Sequence, residues 1–255
     1  MRRVSTALFL SILLGCGLVA QAQAAQNAQT SRGPNTVLVL IDMQRSFLTP
    51  NGRDPVARDQ MEPTINVVNR LIKAMRVNAL PVAYVRDDFS QFAFLGGVER
   101  NWAAMRYEGG EALVSTMDMW AGPYFTKAMA NAFVNRQFND WLEQENVGHL
   151  AIAGVMLGNS VLASTRAALS RGYKVTVISD AVAARSADAR DAQLRKLKRL
   201  GAGIETSEQF VSALQWKGQT TPPLTWEPPL GQPQPPREGF VPRPVAKFVS
   251  PGKPK

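Results

Sequence analysis

Carboxylate and hydroxyl side chains occur in this sequence at positions suited to general acid–base or nucleophilic chemistry. Asp42 comes directly after five apolar residues, which predicts a carboxylate at the mouth of a dry core. Ser160 follows Asn159, a good helix N-cap, so its hydroxyl is expected beside unpaired backbone N–H groups. Such a turn can hold the oxyanion that forms when a hydroxyl attacks a carbonyl. Structural roles stay open, since strand-end carboxylates often cap helices and Ser is favoured in first turns.

The inventory of reactive residues excludes several kinds of site. The chain has one cysteine, Cys16, and one histidine, His149. Cys16 lies in an N-terminal segment that we expect to be removed, which leaves the mature chain no thiol nucleophile, disulfide or thiolate metal site. One histidine cannot supply two imidazole ligands, and a Ser-His-Asp triad would have to use His149 itself. Because His149 leads into an apolar run, we expect it to be structural.

The apolar pattern predicts alternating strands and helices. Short apolar runs typical of buried strands occur at 37–41, 81–85, 150–153, 175–178 and 203–204. Segments with helical periodicity lie between these strands. The first predicted helix has Pro63 in its first turn, and the second carries Val134, Phe138, Trp141 and Leu142 on one face. Two further helices are predicted at 160–171 and 188–200. This alternation predicts an α/β domain of Rossmann type, three layers α/β/α around a mostly parallel sheet.

The carboxyl ends of the strands are where an open parallel sheet binds ligands. Asp42, the segment 86–88 and the segment 154–160 are expected there. Residues 87–126 show no clear period, and so long an irregular insertion is usually a functional loop. Its aromatic side chains could stack on a planar small-molecule substrate; they include Trp102, with Phe92, Phe94, Tyr107 and Trp120.

The two ends of the chain have compositions of their own. Residues 1–25 combine an N-terminal arginine pair, an apolar run and an Ala-x-Ala site, which predicts a signal peptide cleaved near Ala24 or Ala25 and a periplasmic or secreted protein. Acylation at Cys16, within a lipobox-like segment, is the secondary alternative. Residues 26–34 are predicted as a linker and 35–214 as the folded domain. Residues 215–255 are predicted as a disordered tail, since eleven of the seventeen prolines fall in the last 34 residues.

The formal charge of +9 is mostly peripheral. The proline-rich tail is basic and could make weak contact with an anionic envelope surface. No aromatic-basic motif accompanies it, so a nucleic-acid partner is not expected.

An ordered set of motifs resembles a known family. The set comprises Ile41-Asp42-Met43-Gln44-Arg45-Ser46-Phe47-Leu48, Lys127 followed by Asn131-Ala132-Phe133, Ala153-Gly154-Val155 with Ser160 six residues after the glycine, Gly172-Tyr173, and Ser179-Asp180-Ala181. Together they are similar to the isochorismatase-like hydrolases, or cysteine hydrolases, over roughly residues 35–212.

The resemblance implies roles for particular residues. Asp42 corresponds to the family's general base or acid and Lys127 to its lysine, while Ser160 stands at the position of the nucleophilic cysteine. A cis peptide is implied at Val155-Met156, with the N–H groups of Met156 and Ser160 as oxyanion donors. The predicted substrate contacts are Gln44, Phe47, Arg86 and Trp102.

Departures from the family pattern leave three functions open. A small amide or ester could be hydrolysed through Ser160, although a hydroxyl needs a stronger base than a thiol does. Alternatively, Asp42 could protonate a vinyl ether as in the isochorismatase branch, or the site could only bind a ligand. The segment after the second strand lacks the paired histidines of the nicotinamidase metal site, so no metal or other cofactor is expected. A homo-oligomer is expected by analogy alone.

Overall fold

The computed structural model describes residues 32–88, 112–120 and 122–216. The predicted signal peptide, most of the linker, Trp102 and nearly all of the predicted tail lie outside these residues, so those predictions stay predictions. No helix within the described ranges is both long and apolar enough to cross a membrane.

Six parallel strands form the central sheet, in the order β3-β2-β1-β4-β5-β6. The strands are β1 (Asn35–Ile41), β2 (Val82–Asp87), β3 (Tyr124–Lys127), β4 (Val147–Gly154), β5 (Lys174–Val182) and β6 (Gly203–Glu205). The described helices are α1 (Arg45–Leu48), α2 (Arg58–Val77), α3 (Arg136–Gln144), α4 (Leu162–Ser170), α5 (Ala187–Arg199) and α6 (Ser207–Trp216). A 3₁₀ turn, Ala132–Val134, precedes α3, and a π-helical turn, Leu157–Val161, precedes α4.

The side chains of β1 show why helices cover both faces of the sheet. Successive residues of a strand point to opposite faces, and almost all of β1 is buried. Leu38 and Leu40 belong to a core with α2 and α6, whereas Val37, Val39 and Ile41 belong to a second core with α3, α4 and α5. The structure therefore confirms the predicted three-layer α/β/α architecture.

Two details of the predicted helices are wrong. Helix α2 begins at Arg58, so Pro63 lies in its second turn rather than its first. The earlier start is fixed from outside the helix, because the Ala57 N–H donates to the Ala184 carbonyl at 2.9 Å. Val134 lies in the 3₁₀ turn and is 48% exposed, because the Asn135 side chain caps α3 and starts it at Arg136.

The predicted insertion ends earlier than the sequence suggested. Strand β3 begins at Tyr124 and pairs with β2 in parallel register, although 124–126 were assigned to the irregular segment. The preceding segment, 112–120, is attached to the loop after β1: the Val114 N–H donates to the Met43 carbonyl at 3.1 Å. The end of the insertion therefore borders the residues that follow Asp42.

Candidate active site

Asp42 is placed by an unusual backbone conformation at the end of β1. Its φ of 53° lies in the left-handed region, which non-glycine residues rarely adopt. The Asp42 N–H still donates to the Val85 carbonyl at 2.8 Å, so the residue stays attached to β2. The carboxylate is completely buried in the middle of the sheet's carboxyl edge.

Close packing of β4 against β1 requires glycine beside Asp42. Gly154 has a φ of 118°, and a Cβ there would lie 2.0 Å from the Ile41 carbonyl oxygen. The next residue, Val155, donates its N–H to that same oxygen at 2.9 Å. The cis peptide bond implied by the family resemblance is present between Val155 and Met156. The chain then turns into the segment that carries Ser160.

The turn around Ser160 differs from the expected helix start. Asn159 was predicted as the N-cap, but Met156 holds that position and Asn159 lies inside the π-helical turn. The Leu157 N–H donates to the Ala183 carbonyl at 2.9 Å, so the end of β5 fixes the turn three residues earlier. Ser160 is completely buried within this turn. Local departures from α-helical geometry of this kind occur frequently at functional sites.

Lys127 joins the predicted site residues into one cluster. Its side chain starts on β3, at the edge of the sheet, and extends past β2 to the end of β1. The ammonium Nζ lies 2.9 Å from Asp42 Oδ2 and 3.2 Å from Ser160 Oγ. It also donates to Asp87 Oδ1. The number of these oxygens matches the three N–H donors of an ammonium group.

The cluster has an unusual charge for its surroundings. Lys127 is 1% exposed, while Asp42, Asp87 and Ser160 are not exposed at all. The carboxylates of Asp42 and Asp87 both bind the Lys127 ammonium. Removing one member of such a buried ion pair typically costs about 3–5 kcal/mol, because its partner is left without compensation. We therefore expect the members of the cluster to hold one another in place.

Asp87 is the member that sequence reasoning did not assign to the site. It lies in the segment 86–88 that the strand-end rule places at the ligand edge, but Arg86 is the residue of that segment predicted to contact substrate. The signal was available in principle, since Asp87 and Lys127 end neighbouring parallel strands and are register partners. This pairing cannot be predicted from a sequence in which β3 is not recognised as a strand.

The predicted substrate contacts are placed as follows. Gln44 is buried, and its amide bonds both backbone groups of Asp87: Oε1 accepts from the N–H at 2.9 Å and Nε2 donates to the carbonyl at 3.1 Å. Phe47 is 1% exposed and belongs to the core on the α2 face. Arg86 is half-buried near Tyr124. Their roles as substrate contacts stay predictions.

His149 lies at the opposite end of β4 from the cluster. Its ring lies between two threonines: Nδ1 is 3.3 Å from Thr36 Oγ1 and Nε2 is 2.9 Å from Thr176 Oγ1. Five residues of strand separate it from Gly154, or about 16 Å at the usual rise of about 3.3 Å per residue. His149 is therefore too far away to act as a base for Ser160. This agrees with the expectation from the sequence that His149 is structural.

A metal site of the nicotinamidase type does not fit the residues after β2. Within residues 32–88, 112–120 and 122–216, no group of three or more His, Cys, Asp or Glu side chains could hold a metal ion. The carboxylate at that position, Asp87, is bound to the Lys127 ammonium. We derive no catalytic step through a metal.

Comparison with known proteins agrees with this architecture. The family model described as the isochorismatase domain matches residues 36–209. An uncharacterized isochorismatase family protein of Bacillus subtilis (strain 168), YddQ, is 26% identical over 186 residues, which cover 69% of this chain and 98% of that protein.

Solved structures share the fold. The crystal structure of a cysteine hydrolase from Pseudomonas syringae pv. phaseolicola 1448A has a TM-score of 0.65 at 18% identity, covering 71% of this chain and 93% of that one. The N-carbamoylsarcosine amidase from Thermoplasma acidophilum has a TM-score of 0.57 at 23% identity, covering 68% and 97%. Since the family model spans more than half of the sequence, the chain belongs to the isochorismatase family of hydrolases.

Proposed function

We propose that this protein hydrolyses a small amide or ester, with Asp42, Lys127 and Ser160 as its catalytic residues. The observation that carries the proposal is the position of Lys127 Nζ, within hydrogen-bond distance of both Asp42 Oδ2 and Ser160 Oγ. Acid–base group, cation and hydroxyl therefore meet in one buried cluster at the carboxyl edge of the sheet. The amidase among the structural relatives supports the same class of reaction.

In the proposed reaction each of the three residues has a task of its own. Lys127 donates to Ser160 Oγ, so its charge stabilises negative charge that develops on that oxygen. The Ser160 proton passes to Asp42 as Oγ attacks the substrate carbonyl, and the N–H groups of Met156 and Ser160 hold the resulting oxyanion. Asp42 then protonates the departing amine or alcohol. Water then attacks the acyl-enzyme and gives a proton to Asp42, which passes this proton to Ser160 Oγ as the acid product leaves.

Serine at this position limits the rate. Lys127 interacts with two carboxylates and acts as a donor to Ser160, so it does not take up the Ser160 proton. Asp42 alone is a weaker base than the attack of a hydroxyl requires. We therefore expect slow turnover, faster for esters than for amides because the carbonyl of an ester is the more reactive towards a weakly activated hydroxyl.

The place of action is also proposed. Export to the periplasm or the outside of the cell is supported by the arginine pair, apolar run and Ala-x-Ala site of residues 1–25. In that setting, the basic tail could contact anionic envelope surfaces. The small-molecule substrate would enter at the carboxyl edge of the sheet, next to the segment 112–120, which bonds the loop after β1.

Substitutions at the two reacting positions test the proposal. Purified protein is assayed against a panel of small amides and esters. We expect turnover to fall at least about 1,000-fold in Ser160→Ala and in Asp42→Asn, the scale on which loss of a nucleophile or its base acts. Ser164→Ala is the matched control, because Ser164 is equally buried and bonds the Ala132 N–H rather than Lys127. Full activity in folded Ser160→Ala would contradict acyl transfer through Ser160.

Replacement of the hydroxyl by a thiol tests whether the rest of the site is competent. Ser160→Cys restores the side chain of the family pattern, and thiolate is a far better nucleophile at neutral pH. We expect amide turnover to rise at least about 10-fold in this variant. A well-folded Ser160→Cys protein with no gain would indicate that the site does not support acyl transfer.

Vinyl ether hydrolysis of the isochorismatase type is the second candidate. The observation in its favour is that neither Lys127 nor His149 is available as a base for Ser160, whereas Asp42 can act as an acid without a nucleophile. Isochorismate turnover that survives Ser160→Ala but is lost in Asp42→Asn would select it. Absence of turnover on the whole panel would instead favour a binding protein.

A further inference from the structure

Asp87 is the one charged group of the buried cluster to which the proposed mechanism gives no task. It accepts from the Lys127 ammonium, as Asp42 and Ser160 do. We propose that Asp87 is a positioning residue: its carboxylate anchors Lys127 so that one N–H of the ammonium points at Ser160 Oγ. The inference rests on the proposed function, because Lys127 is given a catalytic task there.

The route of the Lys127 side chain explains why a second anchor is needed. Lys127 belongs to β3, and β2 separates it from Asp42 at the end of β1. A lysine side chain has four rotatable bonds, so one distant contact leaves it many conformations. Asp87 is the register partner of Lys127 on β2 and holds the ammonium from the near side, while Asp42 holds it from the far side.

The backbone of Asp87 is itself tied to the loop that carries Asp42. Gln44, two residues after Asp42, bonds both the N–H and the carbonyl of Asp87. On the other side, the Asp88 N–H donates to the Lys127 carbonyl at 2.8 Å. The two carboxylates and the lysine therefore belong to one hydrogen-bonded frame. A shift of Asp87 would be passed directly to Lys127.

Charge gives Asp87 an effect that simple packing would not have. Two carboxylates face the Lys127 ammonium: that of Asp42, directly after β1, and that of Asp87, at the end of β2. Each favours the protonated amine, so removing one charge makes the amine lose its proton at lower pH. A neutral Lys127 no longer stabilises negative charge on Ser160 Oγ. Loss of the Asp87 charge should therefore alter the alkaline side of the pH–activity profile.

The test compares Asp87→Asn with the wild-type enzyme on the best ester of the panel. Asparagine keeps the shape and an acceptor oxygen but removes the charge. We expect kcat to fall about 100-fold, as when a catalytic group is misplaced by about 1 Å, with KM changed less than about threefold. We also expect the alkaline limb of the pH–kcat profile to move to lower pH. Asp54→Asn is the matched control, since Asp54 is buried and ion-paired, but with Arg185 at 2.5 Å.

Two kinetic results would overturn the inference. The first is an Asp87→Asn enzyme with wild-type kcat and pH profile. The second is an equal loss of kcat in Asp87→Asn and Asp54→Asn with no shift of the alkaline limb, because that would show a merely structural role.

Failure of the proposed function is recognised separately, by wild-type turnover that does not depend on Ser160. In that case crystal structures of the wild type and Asp87→Ala test the anchor without any substrate; Asp87→Ser replaces Asp87→Ala if the latter does not fold. Displacement of Lys127 Nζ beyond about 3.5 Å from Ser160 Oγ supports the inference. Retention of the wild-type contact overturns it.

Discussion

Asp42, Lys127 and Ser160 were predicted together although 118 positions separate the first from the last in the sequence. Strand-end position selected Asp42, the start of a helix selected Ser160, and family resemblance added Lys127. The structure brings all three side chains into contact through the Lys127 ammonium. Their proximity could be predicted because parallel strands end at a common edge.

The contacts of Asp87 and Gln44 show what residue types alone could not supply. Gln44 is predicted to touch substrate, and the structure adds that its amide bonds the backbone of Asp87. That pairing depends on where the loop after β1 crosses the end of β2. Such a crossing has no signature in local composition, because it is a tertiary contact between segments 43 residues apart.

The conformation of Gly154 leads to a prediction about stability. Gly154→Ala places a Cβ 2.0 Å from the Ile41 carbonyl oxygen at a φ of 118°, so both a clash and backbone strain result. We expect the free energy of unfolding to fall by about 3 kcal/mol or more, measured by urea denaturation. Gly201→Ala is the control: its φ is also positive, at 97°, but nothing lies within 4 Å of the added Cβ. A loss of about 1 kcal/mol is expected there, and equal losses at both positions would contradict the clash.

The burial of each strand determined whether it could be predicted from the sequence. Strands β1, β2 and β4 are almost entirely buried, as is the run 175–178 of β5, and such continuous apolar runs are typical of strands covered on both faces. Strand β3 is four residues long, lies at the sheet edge and alternates buried with less buried positions, so no such run marks it. The start of the turn at Leu157 was missed because a contact with the end of β5 fixes it, rather than a capping side chain.

Tyr84 attaches the segment 112–120 to the sheet. Its hydroxyl donates to the Trp120 carbonyl at 3.1 Å and accepts from the Trp120 N–H at 2.8 Å, while its ring stacks on Tyr124. On the same segment, Asn69 of α2 bonds the Thr116 carbonyl and the Asp118 N–H. Two side chains therefore fix the backbone that leads from the insertion towards β3.

Removal of the Tyr84 hydroxyl is predicted to weaken this attachment and to change the response to alkaline pH. Burial raises the pKa of Tyr84 to about 12, although the hydrogen bond from the Trp120 backbone opposes this effect. Between the unfolded value of 10.0 and about 12, the unfolded chain binds fewer protons than the folded one, so stability falls as pH rises. One such group contributes a slope of about 1.4 kcal/mol per pH unit.

We therefore expect Tyr84→Phe to lower the free energy of unfolding by about 1–3 kcal/mol at neutral pH, because the Trp120 backbone groups lose their partner. Above pH 10 the variant should lose stability with a shallower slope than the wild type. Urea denaturation at a series of pH values measures both effects. Parallel stability curves for the two proteins would show that Tyr84 does not titrate as described.

Charge and amino-acid composition differ between the predicted domain and the two ends of the chain. The family match stops at residue 209, and the last described helix ends at Trp216. The proline-rich, basic composition beyond that point cannot build a packed core. Composition predicts where the domain ends, because it reports the capacity to bury apolar surface, but it gives no partner for the tail.

Expression of the whole chain in a bacterium with a secretion system tests the prediction for the N-terminus. The apolar run of residues 7–20 would span about 21 Å as a helix, short of the roughly 30 Å of a bilayer core, so cleavage is expected rather than anchoring. Intact-mass measurement of the exported protein should show a chain that begins near Gln26. Because Cys16 is then removed with the signal peptide, Cys16→Ser should give the same mature mass.

A mature chain that begins at an acylated Cys16, and whose processing is lost in Cys16→Ser, would instead establish a lipoprotein. That outcome would hold the hydrolase domain at a membrane surface, where the basic tail would meet anionic lipid.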